Sequence, residues 1–343
     1  LDIEILLKFI RSALLINLSK LQNNHEIIPF QISLSMQCFI NEYLYEETDL
    51  ETQKISELEE YIKNNITKEI YPSANELACL SSYKSLREYP WINSVYIPDQ
   101  LNSLYLRQAL EPEKEKVLMQ NIRKFQSITD NISSKVREQY EQNPYPRWMK
   151  LKLPRRPRSI SEILKEGNIR PQYSRIFEVS NPKILVAGCG TGQHSIETAS
   201  RFKNCDILAI DLSLSSLAYA KRKTDELNIS NIEYMRVDIL DIGKLRQKFD
   251  IIESVGVLHH MHDPMAGWKA LVRCLNTGGL MRIGVYSELA RRNIVRIRNE
   301  IRKDNIKFSD YYMRSFRNRI INLERECDSH IKSSPAFYNM SSI

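Results

Sequence analysis

Lys183-Ile184-Leu185-Val186-Ala187-Gly188-Cys189-Gly190-Thr191-Gly192 is a short apolar run that breaks into three alternating glycines. A run of this length bounded by glycine predicts a buried strand feeding a tight turn. The same pattern recurs downstream. Residues 207–210 form a second apolar run ending in Asp211, residues 232–237 a third ending in Asp238, residues 249–255 a fourth and residues 280–286 a fifth. Helical stretches at 213–227 and 264–275 lie between them. The latter has Asp263 as N-cap and Pro264 at its first position, and it stops at Thr277-Gly278-Gly279. Strand–helix alternation of this kind predicts an α/β fold with a Rossmann-like, doubly wound, mostly parallel sheet.

Upstream the period changes. Ile5, Leu6, Phe9, Ile10 and Leu14, then Leu34, Cys38, Phe39, Tyr43 and Leu44, recur at three- and four-residue spacing, which predicts helices. Pro29, Pro72, Pro90, Pro98 and Pro112 cut this region into short pieces, and no clean 34-residue repeat is present. One more helix is expected over 132–140, ended by Asn143-Pro144-Tyr145-Pro146. The expected organisation is an all-helical domain over 1–150 and a basic linker with a first helix over 151–182. A ligand-binding core over 183–290 and a basic helical segment over 291–343 follow.

The 343 residues are 42% hydrophobic and 27% charged, an ordinary globular composition. Cysteines 38, 79, 189, 205, 274 and 327 form no C-x-x-C pair, so a zinc knuckle or dithiol site is not indicated, and a reducing, cytoplasmic compartment is expected. The apolar run over 3–18 is interrupted by Glu4, Lys8 and Arg11, an amphipathic pattern and not a spanning one. Because the chain begins at Leu1 and ends on Ser341-Ser342-Ile343, it is expected to be a piece of a longer protein. The net charge of +7 is unevenly spread, with −6 over residues 1–143 and +13 over the rest. Basic clusters at 147–175 and 286–325 suit either an anionic partner such as nucleic acid or a solvated surface. The second is favoured because no aromatic-interleaved motif accompanies them.

Ligands of doubly wound sheets bind outside the carboxyl ends of the strands. Gly188, Gly190 and Gly192 sit there, where glycine lets backbone approach a ligand. Asp211, 23 residues after Gly188, can accept from two ribose hydroxyls, and Asp238 from an adenine amino group. The spacing is G-x-G-x-G. A dinucleotide fingerprint would put its third glycine where Gln193 stands.

Val186-Ala187-Gly188-Cys189-Gly190-Thr191-Gly192, Asp211, Asp238 and Gly256-Val257-Leu258-His259-His260 together resemble the class I S-adenosylmethionine (SAM)-dependent methyltransferases. A narrower resemblance, to bacterial methyltransferases joined behind tetratricopeptide repeats, rests on five strings. These are QCFINEY (37–43), REQYEQNPYPRW (137–148), AGCGTGQHS (187–195), DLSLSSLAYAKRK (211–223) and RIGVYSELARR (282–292). The resemblance implies SAM as cofactor, held by Gly188, Cys189, Gly190, Thr191, Gly192, Asp211, Leu212, Asp238, Ile239 and Ser254. It also implies a methyl acceptor, and a protein partner reached through helical repeats. Two departures stand out. Val186 replaces the acid usual two residues before the first glycine. No antiparallel strand pair is legible after the fifth strand, so either the sheet is completed beyond Ile343, the favoured expectation, or those strands are lacking.

Methyl transfer from a sulfonium is a displacement in which the protein mainly positions the nucleophile. A base is needed only where the nucleophile must lose a proton. His260 and Tyr286 are the candidate catalytic groups, each with a purely structural alternative as a loop histidine or a packed strand-end tyrosine. His259, His260 and His262 lack metal-ligand spacing, so no metal is expected. Tyr140, Tyr145 and Trp148 are read either as a lid over the cleft or as a packed linker. The expected function is methyl transfer to a small molecule. Transfer to RNA or protein guided by the basic clusters is one alternative, and a non-catalytic SAM-binding scaffold is another.

Overall fold

The computed structural model describes residues 2–21, 24–125, 130–142, 144, 146–287, 289–303, 310–322, 332 and 337. They divide into two compact units, Lys114–Ser287, and Leu1–Glu113 together with Glu288–Ile343.

The first unit is built on a six-stranded sheet: β1 (Arg123–Lys124), β2 (Lys183–Ala187), β3 (Asp206–Asp211), β4 (Ile232–Arg236), β5 (Phe249–Val255) and β6 (Leu275–Gly284). Its order is β1-β4-β3-β2-β5-β6, and every pairing is parallel. The chain winds outward from β2 through β3 to β4, then crosses to β5 and β6. The switch point therefore lies between β2 and β5. Ile184, Leu185, Val186 and Ala187 are fully buried because both faces of the sheet are covered. On one face Ile196, Leu217, Ala220 and Tyr234 pack with Ile184 and Val186. On the other, Leu258 and Leu271 pack with Leu185, Ile210 and Ile252.

The helices begin where the caps predict. Ser213 accepts from Ser216 N to start Leu214–Glu226, and Asp263 accepts from Met265 N and Ala266 N to start Pro264–Arg273. Three boundaries differ from the sequence reading. The sheet-bearing unit starts at Lys114, well before the boundary expected near 150, because β1 pairs with β4 and the helix Asn131–Gln142 packs on Leu214–Glu226. β6 begins at Leu275 and not at 280. Its pairing jumps from Phe249↔Leu275 to Ile251↔Leu280, and the extra residues bulge out around Gly278 at φ +76. β6 also ends at Gly284, which leaves Tyr286 beyond the strand.

The second unit is helical among its described residues. Thr48 with Glu51 and Ser73 with Glu76 form capping boxes that start Asp49–Ile66 and Ala74–Leu80. Leu77, Leu80, Leu86, Tyr89, Leu101 and Leu104 make its main core. Arg292–Lys303 and Asp310–Asn322 are helices, as expected, and Ile297, Phe316 and Ile320 pack together. No helix among the described residues is long and apolar enough to cross a membrane.

Candidate functional site

The glycine loop is built by what surrounds it. Gly188, Gly190 and Gly192 all have positive φ, at +76, +51 and +89. Gly188 N and Cys189 N donate to Ile210 O at 2.8 and 3.0 Å, pinning the start of the loop to β3. A Cβ on Gly188 would come within 2.3 Å of Val257, which carries the segment after β5 across the loop. A Cβ on Gly192 would come within 2.6 Å of the Ala220 Cβ. Gly192 thus serves helix packing and starts the helix Gln193–Arg201.

Asp211 closes the arrangement. Its two carboxylate oxygens accept from Gly190 N at 2.8 Å and Ser213 N at 3.0 Å. Burial pushes its carboxyl above the ordinary value, opposed by backbone N–H groups of Ser213, Gly190 and Leu212. Each oxygen keeps a further lone pair for a ligand. Asp238 caps the turn Ile239–Leu245 by accepting from Leu240 N at 2.9 Å. The Cys189 thiol is pushed far above its usual value by burial and by Asp211, so it stays protonated and is no nucleophile.

A cavity of about 340 Å³ opens at the switch point. Gly188, Cys189, Gly190, Thr191, Asp211, Leu212, Asp238, Ile239, His260 and Tyr286 all line it, so the structure brings together ten of the twelve residues expected from sequence. Gly192 and Ser254 do not. Gly192 faces Ala220, and strand alternation turns the fully buried Ser254 into the interior while Val255 reaches the cavity. At the far end His259 Nε2 and His260 Nε2 are 3.1 Å apart, and the Tyr286 ring lies 3.7 Å from that of His259.

Of the three aromatics read as a lid, Tyr140 lines the cavity and Tyr145 lies outside the described residues. Trp148 is core and not lid. Its indole is buried against Tyr219, its Nε1 donates to Thr191 O at 3.0 Å, and Thr191 Oγ1 donates to Pro146 O at 2.7 Å.

Several lining residues escaped the sequence reading. Ser216 lines the cavity with its Oγ buried and without a hydrogen-bond partner among the described residues. His194 lines it beside Gln193, and Nε2 of His194 is 2.9 Å from the buried Glu253. Glu253 carried a signal, an acid inside the apolar run 249–255.

The charge of the lining favours one class of ligand. It includes the carboxylates of Asp211 and Asp238 and, among the described residues, no lysine or arginine. A sulfonium cation meets complementary charge there, whereas a pyrophosphate would have only backbone N–H groups to set against the carboxylates. The orphaned Ser216 hydroxyl and the open space over Gly256, where a Cβ would touch nothing within 4 Å, leave room for a bound nucleoside. These residues fit SAM.

Residues 184–279 match the family model described as a methyltransferase domain. The chain is 30% identical over 187 residues to an uncharacterized protein, syc1184_c, of Synechococcus sp., covering 52% of this chain and 42% of that one. It is 26% identical over 102 residues to a ubiquinone biosynthesis O-methyltransferase of Acinetobacter baumannii, covering 29% of this chain and 42% of that one. Among solved structures it is similar to PKMT2 from Rickettsia typhi in complex with AdoHcy, at 20% identity and a TM-score of 0.37, covering 50% of this chain and 34% of that one. The chain thus spans 42% of the length of each of these two curated relatives. Over residues 184–279, within the Rossmann-like parallel sheet and around the switch-point cavity, the chain is thus similar to methyltransferase domains.

Proposed function

We propose that the chain transfers a methyl group from SAM to the hydroxyl of a small-molecule acceptor, with His260 as the general base. When bound, SAM supplies an activated methyl on a sulfonium. Asp211 accepts from the ribose hydroxyls, Leu212 and Ile239 flank the adenine, and Asp238 accepts from its amino group. Gly188, Cys189, Gly190 and Thr191 carry the backbone that the amino-acid part lies against. His260 takes the proton of the acceptor, with its imidazole oriented by the contact with His259. Tyr286, half exposed at the rim, meets the acceptor and not the nucleoside.

The observation that carries this reading is the polarity of the cavity. Carboxylates stand at the ends of β3 and β4, and the histidine pair with Tyr286 stands in the segments after β5 and β6. The O-methyltransferase relative supports an oxygen acceptor. Isothermal calorimetry with SAM, followed by label transfer from methyl-labelled SAM into a metabolite extract, tests the proposal. Binding together with a labelled small molecule is expected. Label appearing only in protein or RNA would overturn the acceptor class, and absence of binding would overturn the cofactor.

A further inference from the structure

His194 stands in the first turn of Gln193–Arg201 and forms part of the cavity wall. Behind it lies Glu253, only 2% exposed in β5. His194 Nε2 is 2.9 Å from Glu253 Oε2, an ion-pair separation and not an aligned hydrogen bond. Thr198 Oγ1 also donates to Glu253, and Arg201 Nη2 approaches its oxygens at 3.0 and 3.1 Å. Arg282 Nη1 comes within 3.9 Å. Burial pushes the Glu253 carboxyl up, but His194, Arg201 and Thr198 outweigh it and leave it below its ordinary value. Glu253 is therefore an ionised carboxylate inside the sheet, with Arg201 balancing its charge.

Its position matters more than its burial. Val186 is the apolar residue two before the first glycine, and Glu253 is its cross-strand partner in the parallel β2–β5 pair. Both strands run toward the same cavity. The carboxylate has moved one strand over from the position nearest the loop, and its burial keeps it from touching a ligand. His194 bridges that gap. With Nε2 turned to Glu253, an imidazole that carries its proton on that nitrogen leaves the Nδ1 lone pair for a ligand. A lone pair on the cavity wall is an acceptor for a cationic N–H group.

We infer that His194 receives the α-ammonium of the cofactor's methionine part, and that Glu253 is a positioning residue acting through it in place of an acid at Val186. This rests on the SAM reading above. Glu253, 2.9 Å from Nε2, favours the proton on that nitrogen, as a carboxylate behind a ligating histidine does elsewhere.

The test uses the whole chain and three neutral-sulfur probes, with binding measured by calorimetry. S-adenosylhomocysteine carries both ammonium and carboxylate. Its decarboxylated analogue keeps only the ammonium, and 5′-methylthioadenosine has neither. His194→Ala is expected to weaken the first two on the order of tenfold, the worth of one hydrogen bond to a charged group, and to leave the third unchanged. Glu253→Gln is expected to show the same selective pattern, because the glutamine amide can donate to Nε2 and turn the donor tautomer toward the ligand. If Glu253→Gln does not fold, His194→Ala alone decides. Equal loss of all three probes, or no loss, overturns the inference while the cofactor reading stands. Loss for S-adenosylhomocysteine alone would assign His194 to the carboxylate and overturn the ammonium assignment. A wild-type chain that binds none of the three overturns the cofactor reading and this inference with it.

Discussion

Trp148 gives its indole N–H to the carbonyl oxygen of Thr191 at 3.0 Å, so a residue far upstream holds the crest of the glycine loop. Tyr219 OH donates in turn to Trp148 O at 2.6 Å. Trp148→Phe keeps most of the apolar contact and removes the hydrogen bond. A loss of about 1 kcal/mol in stability is expected. The affinity for S-adenosylhomocysteine should fall with it, since Thr191 lines the cavity. Urea denaturation and calorimetry on the same variant check both, and unchanged affinity would remove Trp148 from the support of the loop.

Two glycines separate packing from binding. Gly192→Ala places a Cβ within 2.6 Å of Ala220 at φ +89, and a loss of about 3 kcal/mol is expected. Gly256→Ala, at φ +78 with nothing within 4 Å, should cost only about 1 kcal/mol of backbone strain. Because Gly256 lines the cavity, that variant should nonetheless lose cofactor affinity. Thermal unfolding and calorimetry are expected to rank the two variants in opposite order.

Asp211→Asn replaces an acceptor that two backbone N–H groups already share with a group that must turn an NH2 toward one of them. Affinity for both S-adenosylhomocysteine and 5′-methylthioadenosine is expected to fall on the order of a hundredfold, since both probes carry the ribose. A selective loss of one probe would move Asp211 away from the ribose.

Acidification should affect binding before it affects the fold. Burial raises the Asp211 carboxyl in the folded chain, so its ionisation subtracts from stability above that pKa, and protonation relieves the cost as pH falls. The same protonation would remove the acceptor proposed for the ribose. Glu253, held below its ordinary value, contributes stability that is lost only as pH falls through its lower folded pKa. Titrating affinity and unfolding free energy downward from about pH 7 should show affinity declining first, above the ordinary carboxylate range.

His260→Ala is expected to cut methyl transfer on the order of a hundredfold and to leave S-adenosylhomocysteine affinity unchanged, the pattern of a lost base. Equal loss of both would make His260 part of the cofactor wall.

The sheet was legible because Leu185, Ala209 and Ile252 belong to runs whose apolarity has no explanation other than a doubly covered strand. β1 was not legible. Two residues, Arg123 and Lys124, show no alternation, and their pairing with Met235 and Arg236 is a distant contact that local pattern does not encode. The early start of β6 was hidden by Gly278, which reads as a helix stop and acts in a bulge. At the site, glycine and strand-end aspartate were visible as residue types at a spacing. Gly192 and Ser254 stand outside the cavity lining, which spacing could not show because it does not say which way a residue faces. Ser216 and His194 were missed because a serine or histidine in a first helical turn reads as capping or surface until the cavity is seen beside it.

The lining described above, with the carboxylates of Asp211 and Asp238 and no lysine or arginine among the described residues, has a consequence for the proposed turnover. Methyl transfer would convert a positively charged sulfonium into an uncharged thioether, so one of the cofactor's two positive charges would vanish in the reaction, and with it that charge's share of the attraction to the carboxylates. The α-ammonium and the hydrogen bonds would still hold the product, so the wall would favour fresh reagent over spent only by the share that belonged to the sulfonium.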